Sequence, residues 1–429
     1  MSWFARREIL VISLLVAAGV ALRIAWVMAG GHLAPVISEM YNISGRFAID
    51  GVLGDAFRPG QGPTAHAMPL SPMLAGAVYR VLGIGTPAAE FVLTLVSLCF
   101  TFGSFLLVYK IFRTLGTPLW ACLAALALAC LLPVNLSLEA VAFRTWEGAL
   151  AVFLMAWMML LAVRLDAGET RPTKAQYAGI SLLCVISFVV NQAVGVASFA
   201  MLGLLAWRRS GLRAAVGTGA LSLVLTALVL TPWMLRNGET MGERLWLRSN
   251  FGLVLATGFH DGMSGKDQRQ AFVDRMDSVD PLMSDTAYAR MKQMGELAYN
   301  RELAGRAQAW ISAHPTQSLG IALGYLRQYY FPPEWLWHIY SDRSRSTWVK
   351  ALSHWLISAL GLAGLAMALW QRRRGFIYVA FGALIPALPY MLAQPVLRYR
   401  YLVFALLLFL AADFVARLAA TRPRTALAA

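Results

Sequence analysis

The chain has 429 residues, 59% of them hydrophobic and only 14% charged, with a mean hydropathy of +0.60. That composition excludes a soluble globular protein. The formal net charge of +15 does not point to nucleic acid, because most cations fall in short loops between apolar runs, where membrane topology demands them.

Apolar runs of about 20 residues recur along the chain, the length that carries a helix across roughly 30 Å of hydrocarbon. Their hydrophobicity is continuous rather than alternating, which selects helices over a barrel. The first run, 9–29, is too long for the apolar region of a signal peptide and lacks a cleavage site, so it reads as a retained span. Arg23 in its outer half reads as a side chain snorkelling to headgroups. Further spans are expected at 88–109, 118–134, 146–164, 176–191, 194–207, 214–235, 351–370, 375–392 and 401–418. The fold class is an all-α polytopic membrane protein of about ten transmembrane helices. Charge at the middle of the spans is nearly absent. Cys99, Cys122, Cys130 and Cys184 all lie in apolar runs and read as small core hydrophobes rather than disulfides or a metal site.

Alternate connections carry the Lys/Arg excess: Arg6 and Arg7, Lys110 and Arg113, Arg164 to Lys174, Arg208 to Arg213, Arg372 to Arg374, and Arg417, Arg422 and Arg424. By the positive-inside rule these are cytoplasmic, as are both termini. The connections on the other side include two long segments, 30–87 and 236–350. The chain therefore divides into a transmembrane module 1–235 that includes the outer loop 30–87, an extracytoplasmic segment 236–350, and C-terminal spans 351–429. Stretches 37–51 and 70–82 have the apolar spacing of helices lying in the membrane interface, with Glu39 heading the first. The second outer segment is expected to be mostly helical, from about 286 to 313, with breaks at "HPTQ" and "FPPEW".

Arginines gather on the outer side: Arg236 in "TPWMLRN", Arg248 in "LRSN", and Arg398 and Arg400 in "RYRY". Guanidinium forks match phosphate oxygens, so this grouping suggests a lipid-linked phosphate. His66 and the His260–Asp261 pair lack the spacing of a metal site, and no dinucleotide or P-loop fingerprint is present. Neither a metal nor any other cofactor is expected.

An ordered series of short motifs carries a resemblance. Glu39 outside the first span is followed by Ile43–Ser44, then by Gly62–Pro63–Thr64–Ala65, and by Trp146–Glu147 at the start of the fourth span. Next come Pro232–Trp233 with Arg236–Asn237, then Arg248–Ser249–Asn250–Phe251–Gly252, Gly295–Glu296, His314–Pro315 and Arg398–Tyr399–Arg400. In this order they resemble the bacterial polytopic glycosyltransferases of the C-type fold, the group that includes protein O-mannosyltransferases and aminoarabinose transferases of lipid A. The chain departs from many relatives in having Ser38–Glu39 where they have Asp, Asn191–Gln192 for an Asn-Pro step, and Tyr401–Leu402 after "RYR".

The resemblance implies a bacterial inner-membrane enzyme with its active site facing the periplasm. It would take a sugar from a polyprenyl-phosphate donor and pass it to an acceptor hydroxyl on a glycan, lipid or protein, inverting the anomeric centre. Glu39 matches the catalytic base, and Arg236, Arg248, Arg398 and Arg400 are candidates for the donor phosphate. Tyr41, His66, Asn250, His260 and Asp261 are candidates for the substrate pocket. Alternative readings are an O-antigen polymerase or ligase, and a transporter or flippase of lipid-linked sugars. The latter predicts charges at mid-membrane and an internal repeat.

Overall fold

The computed structural model describes residues 3–265, 267–339 and 346–421, and these are helical apart from connecting segments and one antiparallel bridge between Gly54 and Pro63. Arg422 and Arg424 lie outside the described residues. Helices occupy all of the expected spans. Seven helical segments among the described residues are long and apolar enough to cross a membrane. They comprise α1 (Trp3–Ala29), α4 (Pro87–Thr114), the run of α5 (Leu119–Leu131) and α6 (Leu136–Ala140), α7 (Gly148–Ala167), α10 (Leu212–Met241), α17 (Thr347–Trp370) and α19 (Leu397–Thr421).

The other three expected spans are weaker for identifiable reasons. α8 (Lys174–Val190) has 17 residues, and α18 (Phe376–Leu384) gives way to 3-10 turns at Pro386 and Pro389. α9 (Gln192–Ser210) opens on a polar Gln192 and carries serines and glycines along its length. α8 and α9 are separated by Asn191 alone, whose extended backbone ends one helix while its side chain accepts from the Val194 amide at 3.2 Å to begin the next. The reversal is so tight that a Cβ on Gly195 would fall 2.3 Å from the Phe188 Cα.

The connections grouped by their positive charge meet at one end of the bundle. Asp413 accepts from Thr117 Oγ1 at 2.7 Å and pairs with Arg373 and Arg417. Asp166 binds Arg208 at 3.2 Å, and its carbonyl accepts from Arg374. Two buried aspartates thus tie together loops that the sequence marks only as cationic.

Arg23 does not snorkel. It is 1% exposed and forms a buried pair with Glu139, Nη2 to Oε2 at 2.6 Å. Its remaining donors reach the carbonyls of Gly19 at 3.1 Å, Ala129 at 3.2 Å and Cys130, while Tyr401 donates to Glu139 Oε1 at 2.9 Å. The pair survives in an apolar setting because almost every polar atom in it is satisfied. Cys122, Cys130 and Cys184 are buried as expected, whereas Cys99 is exposed on the bundle surface.

On the opposite end, the stretches 37–51 and 70–82 are helical as expected, as α2 (Glu39–Asp50) and α3 (Leu70–Leu82), and the two pack on each other. The second outer segment folds as α11 (Phe251–Gly258), α12 (Gln268–Val279), α13 (Asp285–Met294), α14 (Glu296–Ala313), α15 (Pro315–Tyr330) and α16 (Trp335–Ile339). Breaks fall at His314–Pro315 and before Trp335, where the sequence places them. A further break falls at Gly295, whose φ of 87° stops α13. Ile43, Ala56 and Phe57 of the first outer segment share a core with Leu253, Phe272, Tyr299 and Tyr325 of the second. The two outer segments are therefore one packed cap.

Candidate active site

The site lies where this cap meets the bundle. Ser38 caps α2, accepting from the Tyr41 amide at 3.2 Å, which sets Glu39 at the first helical position. A carboxylate there is favoured by the positive end of the helix. Glu39 lines a chamber of about 110 Å³ together with His66, Trp146, Glu147, Arg248, Asn250, Asp280, Gln394 and Arg398. A second compartment of about 260 Å³ adjoins it, sharing Glu39, Trp146, Asp280 and Arg398. That compartment adds Tyr41, Tyr79, Glu90 and Arg144 on its polar side and Val36, Ile37 and Met283 on its apolar side. Glu39 thus stands on the wall common to both.

His66 is 4% exposed, and its Nε2 lies 4.0 Å from Glu39 Oε1, too far for a hydrogen bond. Burial pushes its pKa below the ordinary value, opposed by Glu39 and Glu296 and reinforced by Arg248 and Arg398. The imidazole is therefore neutral at physiological pH, and its Nδ1 has no partner. Arg398 lies over the Trp146 ring at 3.9 Å, and Arg248 Nη2 donates to Gln192 Oε1 at 2.5 Å. Both cations keep fixed places on the chamber wall, which also carries Glu39, Glu147 and Asp280.

The supports of this wall come from distant parts of the chain. The Glu296 carboxylate accepts from Gln61 Nε2 at 2.9 Å, Thr64 Oγ1 at 2.5 Å, the Ala65 amide at 3.2 Å and Ser249 Oγ at 2.5 Å. The Ser249 amide in turn donates to the Ala65 carbonyl at 2.8 Å. One buried acid thereby aligns the loop bearing His66 with the loop bearing Arg248 and Asn250. α11 follows directly and sits so close on α14 that a Cβ on Gly252 would lie 1.8 Å from the Asn300 carbonyl oxygen.

Several residues expected at the site lie elsewhere. Arg236 donates to the carbonyls of Thr64 at 2.7 Å and Leu53, and so braces the loop from behind rather than facing the chamber. Arg400 is 2% exposed, held against the His354 carbonyl at 3.3 Å and Ser358 Oγ at 3.1 Å between α17 and α19. One residue separates it from Arg398, and positions two apart on a helix point about 200° from each other, so only two of the four expected phosphate-binding arginines share the chamber. His260 and Asp261 are in the cap. Asp261 accepts from Trp310 Nε1 at 2.7 Å, and burial and Arg275 lower the His260 pKa. Tyr41 joins the second compartment, edge-on to Tyr79 at 5.7 Å, and Asn250 joins the chamber.

Asp280 is the acid the sequence reading missed. It is 2% exposed, and its pKa is pushed up to about 7, first by burial and then by Glu39, with the Leu282 amide at 2.9 Å opposing. The signal was present in the spacing: Phe272, Met276 and Asp280 recur at four-residue intervals along and just past α12, and all three line the cleft. Among the described residues no group of three or more His, Cys, Asp or Glu is arranged to hold a metal ion.

The Asp280 shift has a testable sign. A carboxyl raised from 3.8 to about 7 retains its proton in the folded state over a range where the unfolded chain has lost it. The resulting stabilisation is complete below pH 3.8 and is lost as pH rises through about 7. Its ceiling is about 4 kcal/mol at 1.36 kcal/mol per pH unit. Asp280→Asn is therefore expected to melt above the wild type at pH 8 and to lose most of that advantage at pH 5. Parallel melting curves at both pH values would contradict the assignment.

No protein-family model and no curated protein matches the sequence. Solved structures do. The oligosaccharyltransferase of Archaeoglobus fulgidus in its apo form is similar with a TM-score of 0.56 at 14% identity, covering 97% of this chain and 51% of that one. The same archaeal enzyme, AglB, in complex with an inhibitory peptide and a dolichol-phosphate gives 0.51 at 14% identity over the same shares. Its form tethered to an acceptor peptide gives 0.50 at 13% identity, covering 97% of this chain and 50% of that one. The chain thus has a C-type glycosyltransferase fold and spans about half the length of the structures it resembles.

Proposed function

We propose that the chain is a polyprenyl-phosphate-dependent glycosyltransferase that passes a sugar to an acceptor hydroxyl at the extracytoplasmic face of a bacterial cytoplasmic membrane. The observation that carries this reading is the placement of Glu39 on the wall shared by two compartments, with Arg248 and Arg398 in the same chamber. The dolichol-phosphate held by the similar archaeal enzyme supports a lipid phosphate as the leaving group.

The reaction is a single displacement. Glu39 takes the proton of the acceptor hydroxyl as its oxygen bonds to the anomeric carbon. The bond from that carbon to the phosphate oxygen breaks at the same time, and the electron pair leaves with the lipid phosphate. Arg398 and Arg248 stabilise the charge on the departing phosphate. Because that phosphate is already a good anion, no general acid is required, and attack opposite the leaving group inverts the centre. The Arg23–Glu139 pair does not favour the transporter alternative, since its charges are bound to each other and to scaffold carbonyls.

The division among the arginines supplies a test. Arg398→Ala is expected to weaken the Kd for undecaprenyl phosphate by about 10- to 100-fold, the worth of a charge-assisted hydrogen bond. Arg236→Ala is expected to lower the melting temperature while leaving that affinity nearly unchanged, because its donors are committed to loop carbonyls. Equal affinity losses in the two variants would contradict the placement of the phosphate.

A further inference from the structure

One residue of the chamber wall carries a hydrogen-bonding side chain whose orientation is dictated from outside the chamber. Gln394 lies in the non-helical segment 393–396 before α19, is 4% exposed and lines the chamber. Its Nε2 donates to Gln328 Oε1 at 2.8 Å. Gln328 Nε2 donates to Gln268 Oε1 at 2.8 Å, and Gln268 Nε2 donates to the Met263 carbonyl at 3.2 Å.

A backbone carbonyl can only accept, so Gln268 must present its amino group to Met263 and its oxygen to Gln328. Each following amide is then forced into the same sense, because reversing any one would set oxygen against oxygen or amino group against amino group. The relay commits the amino group of Gln394 to the protein and leaves its Oε1 as an acceptor. That oxygen is buried and has no partner. A buried acceptor left unpaired is unfavourable, and native structures rarely keep one without a reason. Other acceptors on the wall are differently engaged: Glu147 takes the Asn191 amide group at 3.4 Å, and Asp280 takes the Leu282 amide.

We propose that Gln394 Oε1 is a specificity-determining acceptor that receives a hydrogen bond from one hydroxyl of the sugar in the chamber, with Gln328 and Gln268 as positioning residues. The identity of the occupant as a sugar rests on the glycosyltransferase reading above. A carbonyl-type oxygen held in one orientation selects a position that donates, and it rejects the same position when deoxygenated. The relay spans α12, α15 and the segment before α19, so the choice of sugar is coupled to the seating of the cap on the last span.

The test measures Kd for farnesyl-phosphate mannose, glucose and galactose and their singly deoxygenated analogues, using the full-length wild type, Gln394→Met and Gln268→Leu. The wild type is expected to lose about tenfold in affinity when one particular hydroxyl is removed. Gln394→Met is expected to bind the parent sugar about tenfold more weakly and to ignore loss of that hydroxyl, while keeping discrimination elsewhere. Gln268→Leu, remote from the chamber, is expected to blunt the same discrimination by freeing the relay, and it decides the matter if the Met variant does not fold. A merely structural role would weaken every analogue alike. Unchanged ratios in the variants, or a wild type that binds none of these sugars, would overturn the proposal. Transfer is scored separately: binding with the expected discrimination but no transfer contradicts the enzyme reading and leaves the acceptor role of Gln394 standing.

Discussion

Glu39→Gln is expected to lower glycosyl transfer by about a thousandfold, within the range that a positioned general base contributes. The substitution keeps the side-chain length and the helix start, and Ser38 still caps α2 through the Tyr41 amide. What it removes is the only function the reading asks of this side chain, the capacity to take a proton. Donor affinity is expected to persist, because Arg248 and Arg398 are untouched. A second consequence follows through Asp280. Glu39 is the next cause, after burial, of the raised Asp280 pKa, so in Glu39→Gln the pH window over which Asp280 affects stability should move toward lower pH. A variant with lost activity but an unmoved window would point to a disturbed site rather than a missing base.

Arg23→Met is expected to destabilise the protein by about 3–5 kcal/mol, the cost of breaking a buried pair from one side. Glu139 is 1% exposed, and without Arg23 its carboxylate would keep only the Tyr401 hydroxyl as a charge-stabilising partner at Oε1. The carbonyls of Gly19, Ala129 and Cys130 would lose the guanidinium donors at the same time. Arg23→Met combined with Glu139→Leu removes the stranded charge and is expected to recover much of the loss, since apolar replacement of a buried pair is often neutral. Thermal unfolding in detergent micelles reads both effects. A single variant as stable as the wild type would show that the pair does not hold α1 to the bundle.

Much of this architecture was legible in the sequence, because membranes make hydrophobicity a direct reporter of structure. Continuous apolar runs located the spans, and the alternation of arginine-rich connections grouped the loops that Asp166 and Asp413 draw together. The helix head at Glu39 and the break at His314–Pro315 were legible for a similar local reason, since both are marked by chemistry that needs no tertiary contact. The site was legible only in part. Glu39, His66, Asn250, Arg248 and Arg398 do converge, and Trp146–Glu147 stands in the chamber, just before α7 rather than within its first turn.

The misplacements share one cause. Arg236, Arg400 and Arg23 carry the same charge as Arg398, and only three-dimensional partners distinguish a guanidinium spent on backbone carbonyls from one facing a cavity. Asp280 was hidden among many acidic residues in a polar segment, and its role emerges only when α12 is seen to turn Phe272 and Met276 the same way. Glu296 was visible as part of a motif, but its task of gathering four donors from two loops belongs to the folded cap. The glutamine relay had no sequence signal, since its members stand at 268, 328 and 394.

The central claim is tested most directly by mass spectrometry of envelope lipids, glycans and proteins from cells that carry the wild type, lack the protein, or carry Glu39→Gln. The account predicts an acceptor that bears one additional sugar in the wild type alone, with undecaprenyl-phosphate sugar accumulating in the other two. The same sugar-bearing product persisting in cells with Glu39→Gln at normal protein levels would contradict it.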